Sequence, residues 1–320
     1  GHSSAASDVY KRQTITAPTV DFKSGGSTTE TKTMKGSGQT YDASYQIAES
    51  NIEGNIGFII RSFADETGNS GSNVVSVTSG AVLQFDKTVP TFTTTTVTSN
   101  NPTNTLAKEG NLITLTLQSD ASLSAPPTVE FTSGGQPASA GTVISGSTAS
   151  DYTAIYAVSS SHQDGVIGFT ISNFSDLAGN PGTTLTATTS EVTVDKEAPT
   201  ISSVAIDANN SILTLEFSED VYSTANGSGD IATNDLSLSL TGGTAELSTH
   251  IPGSVSSIGN DKKTFNVVVS SIIQGSVDGT EILKVELAPN SVFDKAGNVA
   301  TIEQLNNTCL LYTSPSPRDG

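Results

Sequence analysis

Apolar residues recur at every second position over short stretches of this chain, and Gly, Asn, Asp, Ser and Pro punctuate those stretches. In residues 111–118, Ile113, Leu115 and Leu117 fall on one face, with Thr114 and Thr116 on the other. In residues 152–158, Tyr152, Ala154, Tyr156 and Val158 do the same. Period-2 alternation bounded by turn residues predicts half-buried β-strands. Further strands are predicted over residues 92–98, around Val129 and Phe131, over 142–145, 166–171 and 185–194, and later over 201–206 and 212–217. Seven short strands within one stretch of about 105 residues predict a two-sheet sandwich with no disulfide.

The pattern repeats. Pro18-Thr-Val-Asp-Phe22 followed by Ser24-Gly25-Gly26 matches Pro127-Thr-Val-Glu-Phe131 followed by Ser133-Gly134-Gly135. Ile56-Gly57-Phe58 matches Ile167-Gly168-Phe169, and Asp65-Glu-Thr-Gly68-Asn69 matches Asp176-Leu-Ala-Gly179-Asn180. Asp86-Lys87-Thr-Val-Pro90-Thr91 matches Asp195-Lys196-Glu-Ala-Pro199-Thr200, all at offsets of 109 to 111 residues. A more divergent third copy carries Asp294-Lys-Ala-Gly297-Asn298, 118 residues after the second. A fixed period of this kind signals an array of like domains.

The two ends lack the repeat. Residues 3–13 (SSAASDVYKRQ) and 309–319 (CLLYTSPSPRD) resemble translations of the adapters used in transposase-based sequencing libraries, and the codons of 8–13 and 309–314 can be written as opposite strands of one short duplex. Foreign ends are set aside in fold reasoning. The expected organisation is adapter-derived residues at 1–13, a domain at 14–90 lacking its first strands, a complete domain at 91–198, a divergent domain at 199–308 lacking most of its last strand, and adapter-derived residues at 309–320. The single cysteine, Cys309, lies in the second of these ends, so no disulfide framework is expected.

Charge narrows the partners. The chain carries 14 Lys and Arg against 32 Asp and Glu, a formal net charge of −18. Binding nucleic acid requires clustered cations to neutralise phosphates, so no nucleic-acid partner is expected. No apolar run approaches the roughly 20 residues that span a bilayer, so no membrane span is expected in this segment. Abundant Thr, Ser, Gly and Val favour strands and turns.

The Asp-x-Ala-Gly-Asn turn, the Thr-rich last strand and the Asp-Lys-x-x-Pro-Thr linker, recurring about every hundred residues, resemble the bacterial immunoglobulin-like repeats of giant surface adhesins and biofilm-associated proteins. In the third copy, Leu213-Thr-Leu-Glu-Phe217-Ser-Glu219-Asp220-Val221 is similar to a related subtype, with a longer insert around Tyr222 to Thr233. The resemblance implies an all-β chain of tandem immunoglobulin-like sandwiches in an elongated array, secreted or at the cell surface. It implies a non-catalytic spacer whose partners are its neighbouring repeats, with the distal ligand unknown. Two alternatives stand beside it: a glycan- or protein-binding module, or accessory domains of a secreted hydrolase.

Two readings of the Asp-Gly-Asn turn are open. Asp can bond backbone groups two residues on, while Gly and Asn tolerate left-handed conformations, which makes a structural turn. The resemblance instead implies a calcium ion at each linker, held by Asp65, Asn69 and Asp86 at one junction and by Asp176, Asn180, Asp195, Asp207 and Asn209 at the next. Calcium takes 6–8 hard oxygen ligands, which carboxylates and carbonyls supply.

Other features read as scaffold. Pro90 and Pro199 fix the backbone just after each linker. Tyr152 and Tyr156, matched by Tyr41 and Tyr45, are expected in the core or on a sheet face rather than as a sugar-stacking stripe. Ser159 to Gly165 holds a Ser, a His and an Asp, but a triad must converge in a pocket. The first copy has no His at this place, so a solvated turn is expected.

Overall fold

The computed structural model describes residues 16–146, 148–259 and 261–313. The first adapter-like segment, residues 1–13, lies outside the described residues, as do 314–320 of the second. The chain divides into two compact units. The first comprises the residues up to Thr91 together with the loops Ala121–Ala125 and Phe174–Thr183, and the second comprises the remainder.

The first unit contains β1 (Thr19–Ser24), β2 (Ser27–Thr33), β3 (Lys35–Ser37), β4 (Thr40–Asp42), β5 (Gly54–Arg61) and β6 (Gln84–Phe85). One sheet has the order β2-β1-β5-β6, and β3 and β4 form a separate hairpin. Val20 is buried, and Asp21 pairs with Arg61 at 2.8 Å.

The second unit holds two sandwiches. The former has β7 (Phe92–Ser99), β8 (Leu106–Ala107), β9 (Leu112–Ser119), β10 (Thr128–Ser133), β11 (Gln136–Ala140), β12 (Thr142–Ser145), β13 (Asp151–Ala157), β14 (Gly165–Ser172), β15 (Leu185–Ala187) and β16 (Thr193–Val194). Its sheets are β11-β10-β14-β16-β8, with β15 also on β14, and β12-β13-β9-β7. The alternating residues of both sheets meet inside: Ile113, Leu115, Leu117, Phe131, Tyr156, Ile167 and Ile171 are all buried. The rings of Phe131 and Tyr156, from opposite sheets, lie 4.7 Å apart.

The latter has β17 (Ile201–Ile206), β18 (Ile212–Phe217), β19 (Leu236–Thr241), β20 (Glu246–Leu247), β21 (Ser254–Ser257), β22 (Thr264–Val268), β23 (Ile273–Gln274), β24 (Ile282–Leu287) and β25 (Thr308–Leu310). Sheets β17-β18-β22-β21 and β19-β24-β25 enclose one core around Leu213, Leu215, Phe217, Phe265, Leu283 and Val285. Glu281, wholly buried, accepts bonds from the backbone N–H groups of Thr244, Ala245, Asp278 and Gly279. Burial raises its pKa, and these donors outweigh that, holding it at about 2.

The all-β, tandem immunoglobulin-like architecture expected from the alternation is present, with differences in detail. The strand expected at 185–194 is two, β15 and β16, each paired to a different part of β14. Between them the chain passes tightly over Gly168, where an added Cβ would lie 2.8 Å from the Ala187 carbonyl oxygen. Sequence reading missed β8, which is too short for a period, and β11, whose Pro137 argues against a strand. Pro137 is tolerated because β11 is an edge strand and the register shifts there, Phe131 facing Ser139 and Thr132 facing Pro137. The same shift occurs between Phe22 and Lys23 in the first unit.

The third sandwich was expected to lose most of its last strand. Residues at the adapter-like end occupy that place: β25 closes the sheet against β24, pairing Lys284 with Thr308, Leu283 with Cys309 and Ile282 with Leu310. Leu311 enters the core at 2% exposure. Deleting residues 309–320, although they resemble adapter sequence, will therefore lower this sandwich's stability by about 2–3 kcal/mol, the worth of one buried Leu plus ladder bonds. Denaturant titration with and without the segment measures this.

Tyr152 and Tyr156 are core residues at 3% and 4% exposure, as expected. The Tyr156 hydroxyl is buried without a partner, and burial pushes its pKa up to about 12. Tyr156→Phe will raise stability by about 1 kcal/mol, because it removes an unpaired polar group while keeping the ring; the midpoint of chemical unfolding reports it.

Candidate functional site: the linker junctions

Each linker aspartate is followed by a lysine, and in both copies that lysine ties the linker to the hairpin before β5 or β14. Lys87 Nζ donates to the carbonyls of Glu49 (2.8 Å) and Asn51 (3.2 Å), and Lys196 Nζ donates to those of Ser160 (2.9 Å) and His162. His162 was expected in a solvated turn but is buried. Its Nδ1 accepts from the Ser159 N–H at 3.1 Å, and its ring packs edge-on against Tyr156 at 5.5 Å. The imidazole therefore closes a hairpin. The carboxylates of Asp86 and Asp195 cap the linker turns through the N–H groups of Thr88 and Glu197.

The Asp-Gly-Asn loops are built alike. Asp65 accepts from the backbone and side chain of Thr67 and from those of Asn69, which hold its carboxyl down at about 2. Asp176 accepts from Asn180 N (2.9 Å) and Nδ2 (2.8 Å), and Asp294 from Asn298 N (2.7 Å) and Nδ2 (2.6 Å). Gly68, Gly179 and Gly297 have φ of 85°, 93° and 87°, the left-handed region that glycine adopts freely. All three loops thus carry the hydrogen bonds and the left-handed glycine of an Asp-capped turn.

The proposed calcium partners are grouped differently from expectation. Asp86 follows β6, which pairs with Gly54 and Asn55 at the start of β5, whereas Asp65 follows the end of β5. Eight strand residues, roughly 23 Å, separate those two ends, so Asp65 and Asn69 do not join Asp86. Asp176 and Asn180 lie with Asp86 in the first unit, where Asn180 Nδ2 donates to the Asp86 carbonyl at 3.1 Å. Asp195 belongs with the loop of the third sandwich, Asn298 Nδ2 donating to its carbonyl at 2.9 Å. Each linker aspartate therefore meets the Gly-Asn loop of the next copy, not its own.

Asp207 and Asn209 do not complete that shell. Strand β17 leaves the linker and Asp207 follows its far end, where its Oδ1 accepts from Ser211 N (2.6 Å) and Ile212 N (3.0 Å) in the β17–β18 hairpin. Asn209 lies in the same hairpin, its carbonyl accepting from the Ser211 hydroxyl. The antiparallel return of β18 brings Glu219 to the junction instead. Carboxylate oxygens of Asp195, Glu219 and Asp294 lie within 4.8 Å of one another, and Asp294 is fully buried. Burial, then repulsion from Asp294 and Asp195, raises Glu219 to about 7; burial, then Asp294, also raises Asp195.

The second sandwich grips the loop of the third with two more side chains. Asn101 Nδ2 donates to the Ala296 carbonyl at 2.8 Å, and Lys108 Nζ donates to the Gly297 carbonyl. An added Cβ at Gly297 would lie 2.2 Å from the Ala225 carbonyl oxygen, so the loop fits only with glycine there. Asn101, Lys108 and Glu219 were not singled out in the sequence. Lys87 and Lys196 were visible as a repeated pair whose role needed the fold.

No family model matches the chain, and no curated protein does. Among solved structures it is similar to the titin Ig tandem domains A164-A165, at 10% identity over 70% of this chain and 95% of that one, with a TM-score of 0.22. At that score the likeness adds nothing to the fold read from the sheets themselves.

Proposed function

We propose that this chain, with repeats at 14–90, 91–198 and 199–308, is a non-catalytic spacer segment of a larger secreted or cell-surface protein of the adhesin type, in which the sandwiches at 91–198 and 199–308 are links held in fixed register. The observation that carries this reading is the junction between the second and third sandwiches. Asn101, Lys108 and Asn298 make three side-chain bonds across it, and Asn298 repeats at Asp195 what Asn180 does at Asp86. A junction that serves only to tether needs none of these.

The same junction fits a hard divalent cation. Three carboxylates crowd within reach of one point, two of them with raised pKa, so the site favours either a shared proton or a metal ion. Calcium suits such all-oxygen ligands, with the remainder of its 6–8 positions left to carbonyls or water. When bound it supplies neutralising charge, while Asp195 from one sandwich and Glu219 and Asp294 from the next hold it between the two bodies.

Spin labels at exposed Thr116 and Ser256, in a Cys309→Ser background, test the spacer reading. A narrow interspin distance distribution that broadens in the triple variant Asn101→Ala, Lys108→Ala, Asn298→Ala supports it. A broad distribution in the unsubstituted chain contradicts it.

A further inference from the structure

The insert that sets the third sandwich apart carries Asn226-Gly227, the chain's only Asn-Gly pair. With no Cβ on the second residue, nothing shields its backbone nitrogen from the asparagine side-chain carbon one residue earlier. Asn226 is exposed, whereas Gly227 is buried. A reactive pair thus sits where a packed turn meets solvent.

The groups that would react are held in place. The Gly227 N–H donates to the Thr224 carbonyl at 3.0 Å. Asn226 Oδ1 accepts from the hydroxyls of Thr224 and Ser228, the latter at 2.5 Å. Lys295 Nζ donates to the Gly227 carbonyl at 2.8 Å and lies 4.9 Å from the centre of the Tyr222 ring. Gly227 has φ of 66°, and an added Cβ there would lie 2.5 Å from the Lys295 carbonyl oxygen. One added at Gly297 would lie 2.2 Å from the Ala225 carbonyl oxygen. A bridge between Tyr222 and Phe293 fixes the start of the turn to the same segment. Residues 224–228 and 294–298 therefore pack as one piece, with Lys295 as the clasp. Closing a ring from the Gly227 nitrogen requires its N–H to leave Thr224 first.

We propose that Asn226 is a deamidation site gated by this clasp: it is modified when the turn lifts off the 294–298 loop, and the modified turn does not reseat. In the step, a base from solvent takes the Gly227 amide proton and the nitrogen bonds to the Asn226 side-chain carbon. The bond from that carbon to Nδ2 breaks, and ammonia leaves. Water then opens the cyclic imide at either carbonyl, giving aspartate or isoaspartate. In sum, asparagine and water become a carboxylic acid and ammonia. Both products bring a new carboxylate, and isoaspartate also adds a backbone carbon ahead of Gly227. The close approaches of Gly227 to Lys295 and of Ala225 to Gly297 leave no room for that carbon. The Gly227 carbonyl then misses Lys295, and the Ala225 carbonyl is displaced against Gly297, whose own carbonyl Lys108 holds. A transient opening of the turn is thereby made permanent.

The whole chain, its Lys295→Met and Thr224→Val variants and a free peptide of residues 222–230 are incubated together in mildly alkaline buffer. Peptide mapping by mass spectrometry follows deamidation at Asn226, and amide exchange in β18 and β24 checks that the variants stay folded. Conversion is expected fastest in the peptide, slower in the variants and slowest in the unsubstituted chain. Lys295→Met should run roughly fivefold faster than the unsubstituted chain, because local opening then breaks one charged hydrogen bond fewer. Equal rates in the peptide and the unsubstituted chain overturn the gate, as do folded variants no faster than the unsubstituted chain. No conversion at Asn226 in any folded chain by the time the peptide is consumed overturns the site itself.

Discussion

Phe131→Ala will destabilise the second sandwich by about 3–5 kcal/mol, while Phe22→Ala, the same residue one repeat earlier, will remove only about 1 kcal/mol. Both rings project from the same position of equivalent sheets and pack against equivalent tyrosines, with centroids 5.5 Å apart for Phe22 and 4.7 Å for Phe131. Phe131 is 2% exposed between two sheets, so its removal leaves a cavity that the surroundings fill only in part. Phe22 is half-buried on a sheet whose opposing strands are absent among the described residues, so water takes up the space at little loss. Amide exchange resolved by sandwich reads both effects in one chain. Equal losses would mean that the two sheets are equally covered.

Without divalent cations, acidification will stabilise the junction between the second and third sandwiches. Glu219 rises from an unfolded value of 4.5 to about 7 in the fold, chiefly by burial and then by Asp294 and Asp195. A carboxyl with a raised pKa holds its proton more tightly in the folded state. Its contribution is therefore fully present below pH 4.5 and is lost as the pH climbs through about 7. Asp195 acts in the same direction. Glu281, in the third sandwich and lowered to about 2, acts oppositely: its support is present above its unfolded value and disappears as the pH falls toward 2. Melting of the third sandwich should accordingly pass through a maximum on the acid side of neutrality. Glu219→Gln should flatten the limb above pH 4.5 and leave the acid limb in place. An unchanged upper limb in that variant would remove Glu219 as its origin.

Much of this was legible in the sequence because period-2 alternation and a fixed offset survive without knowledge of contacts. Ile113, Leu115 and Leu117 announced a strand face, and the paired Gly-Asn turns announced the repeat. The junction was harder to read, since it depends on which end of a strand a residue follows. Counting strand directions alone would have separated Asp207 from Asp195 and returned Glu219 to it, because β17 runs away from the linker and β18 runs back. Asp65 and Asp86 misled for the same reason: proximity in the motif hid the length of β5 between them. Asn101 and Lys108 carry no pattern at all, and only their bonds to Ala296 and Gly297 assign them a role.

The pairing of Phe63 with Gly71, and of Phe174 with Gly182, was equally hidden. In both, an added Cβ would lie 1.9 Å from the phenyl ring, so each glycine is fixed by ring packing rather than by a turn. Ser62 and Asn173, at φ of 60° and 55°, mark the matching left-handed exit from β5 and β14. The offset of 111 residues between these pairs was available from the sequence, but nothing in residue type alone links a phenylalanine to a glycine eight positions on.

The most direct test of the cation-braced junction is calorimetric titration of the whole chain with calcium at a pH above 7. The account predicts one saturable site, lost in Glu219→Gln and in Asp195→Asn but retained in Asp65→Asn, whose carboxylate serves only its own turn. No saturable heat, or a site unchanged by Glu219→Gln, would contradict it and leave the junction held by Asn101, Lys108 and Asn298 alone.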